Sequence, residues 1–180
     1  MKKRKYSGRF VQVYEEPIEN KVYEKVYIHD SIIIIPFVND DEILLVKEKR
    51  VQEDPPVRIK TVTGFYESEF SFEENVNREL QEEIGKKANR IVQYEVIKRT
   101  GLLNDTRYFA LAYDLEDSKL PNPDGEDTIM EVIRMSLDEL YDFVMSGRFP
   151  LGDTAFLLVR LYMEIKGKKS GMNTSPSDKT

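Results

Sequence analysis

Alternating apolar and polar residues mark the first part of the chain. Between residues 9 and 30 this alternation predicts two strands joined near Asn20, with apolar positions that include Val11, Val13, Val26 and Ile28. The run SIIIIPFV (31–38) predicts a strand buried on both faces. The turn NDDE then leads into ILLVKEKR, a second strand that ends at Arg50.

A helical period follows a segment of loop and short strand at 51–70. Apolar side chains recur every fourth residue at Phe72, Val76, Leu80 and Ile84. Ser71 can cap the start of this helix, Glu74 holds the capping-box position, and Gly85 can end it. The pattern therefore predicts a helix over about 72–84.

The rest of the chain alternates between strand and helix patterns. Strands are predicted at 91–100, 107–117 and 128–137, and helices at 138–148 and 153–167. Strands around a central helix, followed by two more helices, are typical of an α/β fold with a mixed sheet sandwiched between helices. We expect an N-terminal strand pair at 1–29, a main domain at 30–167 and a disordered tail at 168–180.

Composition and charge exclude several kinds of site and partner. The chain has 180 residues, no cysteine, one histidine and a net charge of −6. Disulfides and thiolate metal sites are therefore excluded, and a reducing cytoplasmic location is expected. The acidic balance argues against nucleic acid as a partner, and no apolar run has the length of a membrane span. An acidic protein can still hold a phosphate compound if divalent cations lie between the two.

The central helix carries its acids in an unusual place. Glu79 and Glu83 lie along the edge of the apolar stripe, and Glu82 is one step further round. Like charges four residues apart repel, and partial burial raises the cost. Arg78 can pair with Glu82, so Glu79 and Glu83 call for another cation, such as Mg²⁺ or Mn²⁺. From the charge pattern alone, a solvated acid-rich surface helix explains the glutamates equally well.

The residues from Gly64 to Gly85 resemble the signature of the Nudix hydrolases, G-x5-E-x7-R-E-U-x-E-E-x-G-U, where U is bulky and aliphatic. Gly64, Arg78-Glu79-Leu80, Glu82-Glu83 and Gly85 match in register. Phe70 stands where the motif has its first glutamate, next to Glu69, and Lys86 stands at the final U. The resemblance implies the Nudix fold and makes Glu79, Glu82 and Glu83 metal ligands, with Arg78 orienting Glu82.

A wider resemblance, over about 22–165, is to the ADP-ribose pyrophosphatase group of that family. It is carried by IIIIPFVNDDEILLVKEKR, GFYE, TGLLNDTRYFALAYDL and DGEDTIMEVIRMSLDEL. It implies that Glu126 completes the site as general base or water-positioning group. Lys60 and Thr100 depart from the group's glutamate and proline at those positions. Arg50, Arg107 and Phe65 are the candidates for substrate binding.

The resemblance implies Mg²⁺-dependent hydrolysis of ADP-ribose or a related nucleoside diphosphate sugar to a nucleoside monophosphate and a sugar phosphate. Two alternatives stay open. Phe70, Lys60 and Thr100 fit a Nudix-fold module that binds or senses a nucleotide with weak or no turnover. A hydrolase of a diadenosine polyphosphate or of coenzyme A is the other. Because similar proteins use N-terminal strands to build a homodimer, the resemblance also implies a homodimer.

Overall fold

The computed structural model describes residues 1–121, 128–150 and 152–171. Its strands are β1 (Lys3–Ser7), β2 (Val11–Ile18), β3 (Lys21–Ile28), β4 (Ser31–Asn39), β5 (Glu42–Lys49), β6 (Val57–Lys60), β7 (Val62–Phe65), β8 (Lys86–Arg99), β9 (Leu103–Asp117) and β10 (Ile129–Ser136). Its helices are α1 (Phe72–Glu83), α2 (Leu137–Met145) and α3 (Asp153–Gly171).

The described strands form one mixed sheet that divides at β4 and β5. The path runs β1-β2-β3-β9-β4-β5-β10, and β4 lies parallel to β9. β4 and β5 pair with each other only near Phe37 and Asn39. Away from this contact the two strands have different partners. Residues 31–34 of β4 pair with β7, and residues 46–49 of β5 pair with β6. The two strands therefore diverge, and their separation opens a cleft in the sheet.

Helices cover both faces of the sheet, as the sequence predicted. On one face Val76 and Leu80 of α1 pack with the β4 residues Ile32 and Ile34. On the other face α2 and α3 bury side chains against Ile35 and Phe37 of β4 and against Ile43 and Leu45 of β5. Burial of each such side chain stabilises the fold by about 1.5–3 kcal/mol. The predicted α/β/α sandwich is confirmed.

The N-terminal strands β1, β2 and β3 form an antiparallel layer at one end of this sheet. β2 and β3 are the predicted hairpin, with Glu19 in a positive-φ turn conformation beside Asn20. The structure adds β1, which pairs with β2 and places Lys5 2.8 Å from Glu15. The layer joins the main domain through a short parallel pairing of β3 with β9. None of residues 1–31 is buried.

Several boundaries differ from the prediction, among them the start of β9, at Leu103 rather than at 107, and the end of α2, at Met145 rather than at 148. β8 begins at Lys86, directly after the turn that ends α1, rather than at 91. α3 continues to Gly171, so helix occupies the start of the predicted tail, and 172–180 lie outside the described residues. In the part of the chain that the structure describes, no helix is long and apolar enough to cross a membrane.

Candidate active site

Local signals set the bounds of α1 as predicted. The Ser71 hydroxyl accepts a hydrogen bond from the Glu74 amide at 3.2 Å, and the Glu74 carboxylate accepts one from the Ser71 amide at 2.8 Å. This reciprocal pair satisfies two amides that the helix itself cannot. Gly85 follows the helix with φ +65°, a conformation that glycine adopts without strain.

A buried asparagine fixes the loop before the helix. The side-chain amide of Asn75 donates to the carbonyls of Glu67, Phe70 and Ser71 at 2.9, 3.3 and 3.0 Å. Its side-chain oxygen accepts from the Glu67 amide at 2.9 Å. Sequence reasoning missed Asn75, although a polar residue beside Val76 at the buried edge of a helix is a signal that could have indicated it. Asn75 thereby holds residues 67–71 in one conformation against α1.

Glu79 packs its carboxylate against the backbone of β7. A Cβ atom placed on Gly64 would lie 1.9 Å from the Glu79 carboxyl carbon, so only glycine leaves room for that group. Burial, followed by the negative charges of Glu83 and Glu82, raises the pKa of Glu79 to about 8. In the metal-free protein this carboxyl group therefore keeps its proton up to a pH well above the ordinary pKa of glutamate.

Glu83 lies beside Glu79 in a similar environment. Burial raises the pKa of Glu83 to about 7, against the opposing charge of Lys60. Its Oε2 atom is buried and makes no hydrogen bond. A buried carboxylate oxygen without a donor is costly, so this atom is suited to a cation as its partner.

Arg78 pairs with two acids, one of which the sequence did not predict as its partner. Its guanidinium lies 3.0 Å from a Glu67 carboxylate oxygen and 4.3 Å from the centre of the Phe70 ring. A Glu82 oxygen lies 4.0 Å from the guanidinium, so the predicted pair is present as a long ion pair without a hydrogen bond. Glu67 is brought near because Asn75 folds its loop onto the helix. Glu69, the other acid near the motif's missing glutamate, is exposed.

Next to these acids lies a cleft of about 320 Å³, whose charged lining residues are the cations Arg50, Arg58, Lys60 and Arg107 and the acids Glu48, Glu53 and Asp153. Lys60 Nζ and Arg50 Nε lie 2.7 and 2.9 Å from one oxygen of the buried Glu48. Burial alone would raise the pKa of Glu48, but the hydrogen bonds from Arg50 and Lys60 hold it below its ordinary value. Sequence reasoning had not singled out Glu48, whose place at the end of a strand is typical of an ordinary surface charge.

The predicted substrate-binding residues occupy two places. Arg50 and Arg107 both line the cleft, and Arg107 is held 3.3 Å from Asp105 and 3.4 Å from Asp153. Phe65 instead stacks on Phe10, with ring centres 5.6 Å apart, and both rings are exposed. The structure therefore brings the two arginines together at the cleft and places Phe65 in an aromatic pair with the N-terminal layer.

The remaining predictions concern a general base, Glu126, and three metal ligands, Glu79, Glu82 and Glu83. Glu126 lies outside the described residues. Within residues 1–121, 128–150 and 152–171, no group of three or more His, Cys, Asp or Glu side chains is arranged to hold a metal ion. The assignment of Glu79, Glu82 and Glu83 as a ligand set thus stays a prediction.

The site nevertheless fits a hard divalent cation. Two carboxylates can provide oxygen ligands. Glu83 Oε2 makes no hydrogen bond, and the Glu79 carboxylate lies in the space that Gly64 leaves open. Mg²⁺ is commonly held by one or two carboxylates, with waters and substrate phosphates completing its shell. Two such carboxylates are therefore enough protein ligands for this ion.

Comparison with known proteins bears on the family and the fold. The sequence model of the NUDIX domain matches residues 28–155. A solved structure, "Crystal structure of ADP compounds hydrolase", superposes with a TM-score of 0.77 at 22% identity, over 93% of this chain and 94% of that chain. At that identity the likeness concerns the fold. A search of curated proteins found no match.

Proposed function

The chain belongs to the Nudix hydrolase family, and from that premise we propose that it hydrolyses ADP-ribose or a related nucleoside diphosphate sugar. The products would be a nucleoside monophosphate and a sugar phosphate. The observation that carries the proposal is the pair of half-buried glutamates, Glu79 and Glu83, with raised pKa values, beside a cleft lined by Arg50, Lys60 and Arg107. The similar solved structure is that of an ADP compounds hydrolase, which also supports an ADP-containing substrate.

The carboxylates would hold the divalent cation, Mg²⁺ or Mn²⁺. Glu79 and Glu83 are the principal ligands in this proposal, and Glu82 is the third. When bound, the cation would neutralise diphosphate oxygens and acidify a water molecule. Arg78, fixed between Glu67 and Phe70 and 4.0 Å from a Glu82 oxygen, would orient the Glu82 carboxylate.

The cleft would bind the substrate around that centre. Arg50 and Arg107 are held in place by the acids Glu48 and Asp105, so each presents a pre-oriented guanidinium to phosphate or ribose oxygens. The exposed rings of Phe65 and Phe10 offer a face on which a nucleobase can stack. We assign Glu126 the role of general base or water-positioning group, on the resemblance alone.

Hydrolysis of ADP-ribose tests the proposal. Purified protein with Mg²⁺ is expected to convert ADP-ribose to AMP and ribose 5-phosphate, detected by chromatography and by coupled phosphate release. Glu83→Gln should lower kcat about 10²–10³-fold, because it removes an anionic ligand of the cation. Glu73→Gln, at an exposed position of the same helix, is the matched control and should retain activity. No turnover of ADP-ribose or of a panel of sugar nucleotides and dinucleotides would reject the proposal.

A binding module without turnover is the second candidate. It is favoured by Phe70, whose ring covers Arg78 at the position where the resemblance expects a glutamate. Calorimetry with ADP-ribose separates the two candidates. Tight binding without product would support the module, whereas product formation would reject it.

We further propose that a second copy of the chain covers the N-terminal layer. Three strands with no buried residue are poorly stabilised on their own. The apolar side chains Ile18, Val22, Tyr23 and Leu102 are exposed around one hollow at its end. Sedimentation velocity at micromolar concentration should show a dimer. A single species at the 21.1 kDa monomer mass would contradict this.

A further inference from the structure

Glu67 is held at a fixed place in the loop before α1. Its backbone amide donates to the Asn75 side-chain oxygen at 2.9 Å, and its carbonyl accepts from the Asn75 side-chain amide at 2.9 Å. Asn75 is only 2% exposed, so this pair of bonds is protected from competing water. Because both bonds use backbone atoms of Glu67, its carboxylate is left to contact another group.

The same backbone brings Phe70 close to Glu67. The Phe70 amide donates to the Glu67 carbonyl at 3.2 Å, which closes residues 67–70 into one turn. From this turn the Glu67 carboxylate accepts a hydrogen bond from Arg78 at 3.0 Å, and the Phe70 ring centre lies 4.3 Å from the guanidinium carbon. A charged acceptor and an aromatic face together hold a guanidinium in one orientation.

Arg78 directs different nitrogens to its two acids. Its Nη1 atom donates to Glu67, whereas its Nη2 atom lies 4.0 Å from an oxygen of Glu82. The side chain of Glu82 is only 15% exposed, so water screens this positive charge weakly. The guanidinium therefore connects the loop to one of the three acids that the proposed function assigns to the cation.

We propose that Glu67 is a positioning residue for the metal-binding acids and acts on them through Arg78. It supplies, from the same turn, the acid that the motif has at the position of Phe70. The ring of Phe70 contributes by covering the guanidinium. This inference rests on the proposed function, because it concerns the acids that would hold the cation there.

The competing explanation is that Glu67 and Arg78 only tie the loop to the helix. Their side chains are 41% and 31% exposed, and ion pairs with such exposure contribute little to folding. A tie of this kind predicts a small change in Tm, and no change in cation binding, when Glu67 is replaced. A positioning role predicts weaker cation binding.

Binding of Mn²⁺ to the full chain, followed by electron paramagnetic resonance of the free ion, tests the proposal without turnover. Glu67→Ala should bind Mn²⁺ about tenfold more weakly, because it removes a group that orients a metal ligand from behind. The variant should fold normally, since the bonds to Asn75 use the backbone of residue 67. Glu69→Ala, which removes an exposed acid from the same turn, is the matched control and should leave the affinity unchanged.

Arg78→Ala separates an action through the guanidinium from a direct action on the ion. If Glu67 acts through Arg78, adding Glu67→Ala to Arg78→Ala should weaken Mn²⁺ binding no further. Losses that add in the double variant would overturn the proposal, because Glu67 would then act on the ion independently. Equal affinities for Glu67→Ala and Glu69→Ala would also overturn it.

Failure of the proposed function is recognised separately. In that case Mn²⁺ affinity would change as expected, but ADP-ribose would not be hydrolysed. Hydrolysis of ADP-ribose, with the same kcat and the same Mn²⁺ affinity in Glu67→Ala and Glu69→Ala, would overturn this inference and leave the proposed function standing.

Discussion

Replacing Glu79 with glutamine should stabilise the metal-free protein at pH 8 and abolish most of its activity. The pKa of Glu79 is raised to about 8 by burial and by Glu83 and Glu82. In the unfolded chain this carboxyl loses its proton near pH 4.5, whereas in the folded protein it keeps the proton to about pH 8. Folding is therefore opposed increasingly as the pH rises through this window.

The amide of glutamine carries no charge, so Glu79→Gln removes this penalty. We expect the variant to gain about 2–4 kcal/mol at pH 8 in the presence of a chelator, and much less at pH 5. For a chain of this size that corresponds to a rise in Tm of about 5–10 °C. Thermal unfolding followed by circular dichroism at both pH values measures the difference.

In the presence of Mg²⁺ the unchanged protein should become more stable than Glu79→Gln. A ligand that binds only the folded state stabilises it by RT ln(1 + [L]/Kd), so Mg²⁺ should raise the Tm of the unchanged protein. Glu79→Gln should show little of this rise and should lose about 10²–10³-fold in kcat. Glu73→Gln provides the control for the loss of an exposed carboxylate. Equal Tm values for Glu79→Gln and the unchanged protein at pH 8 would refute the burial argument.

Gly64→Ala is expected to disable the site while leaving the fold intact. The three atoms nearest to an added Cβ, at 1.9–2.1 Å, all belong to the Glu79 carboxylate. This group is the end of a flexible side chain, so it can move away without displacing the backbone. The methyl group should therefore expel the carboxylate from its place beside β7.

The expected result is a folded protein whose kcat falls about 10²-fold or more and whose Tm no longer rises with Mg²⁺. Gly167→Ala is the matched control, because nothing lies within 4 Å of the added Cβ on α3. That change should stabilise the protein by at most about 1 kcal/mol, because alanine has a higher helix propensity than glycine. It should leave kcat unchanged. Full activity in Gly64→Ala would show that Glu79 can act from another position.

The sequence predicted those features that depend on neighbouring residues. The bounds of α1 follow from Ser71, Glu74 and Gly85, whose effects reach only one helical turn. The position of Glu79 and Glu83 beside the apolar stripe follows from the helical period. Both residues are half-buried, which agrees with that pattern.

Features that depend on distant pairings were not predicted. β1 is polar and basic, and its structure comes from pairing with β2 rather than from its own pattern. The spacing rule for helices paired Arg78 with Glu82, but the folded loop brings Glu67 closer. Lys60 pairs with Glu48, which also binds Arg50, because β6 lies beside β5. No local signal in the sequence specifies that pairing of strands.

A crystal structure with Mg²⁺ and an uncleavable ADP-ribose analogue tests the central claim most directly, because the claim is that Glu79 and Glu83 hold a cation against a diphosphate. We expect an ion at about 2.1 Å from a carboxylate oxygen of Glu79 or Glu83, with the diphosphate completing its coordination. Analogue bound in the cleft with no ion at either carboxylate would contradict the account.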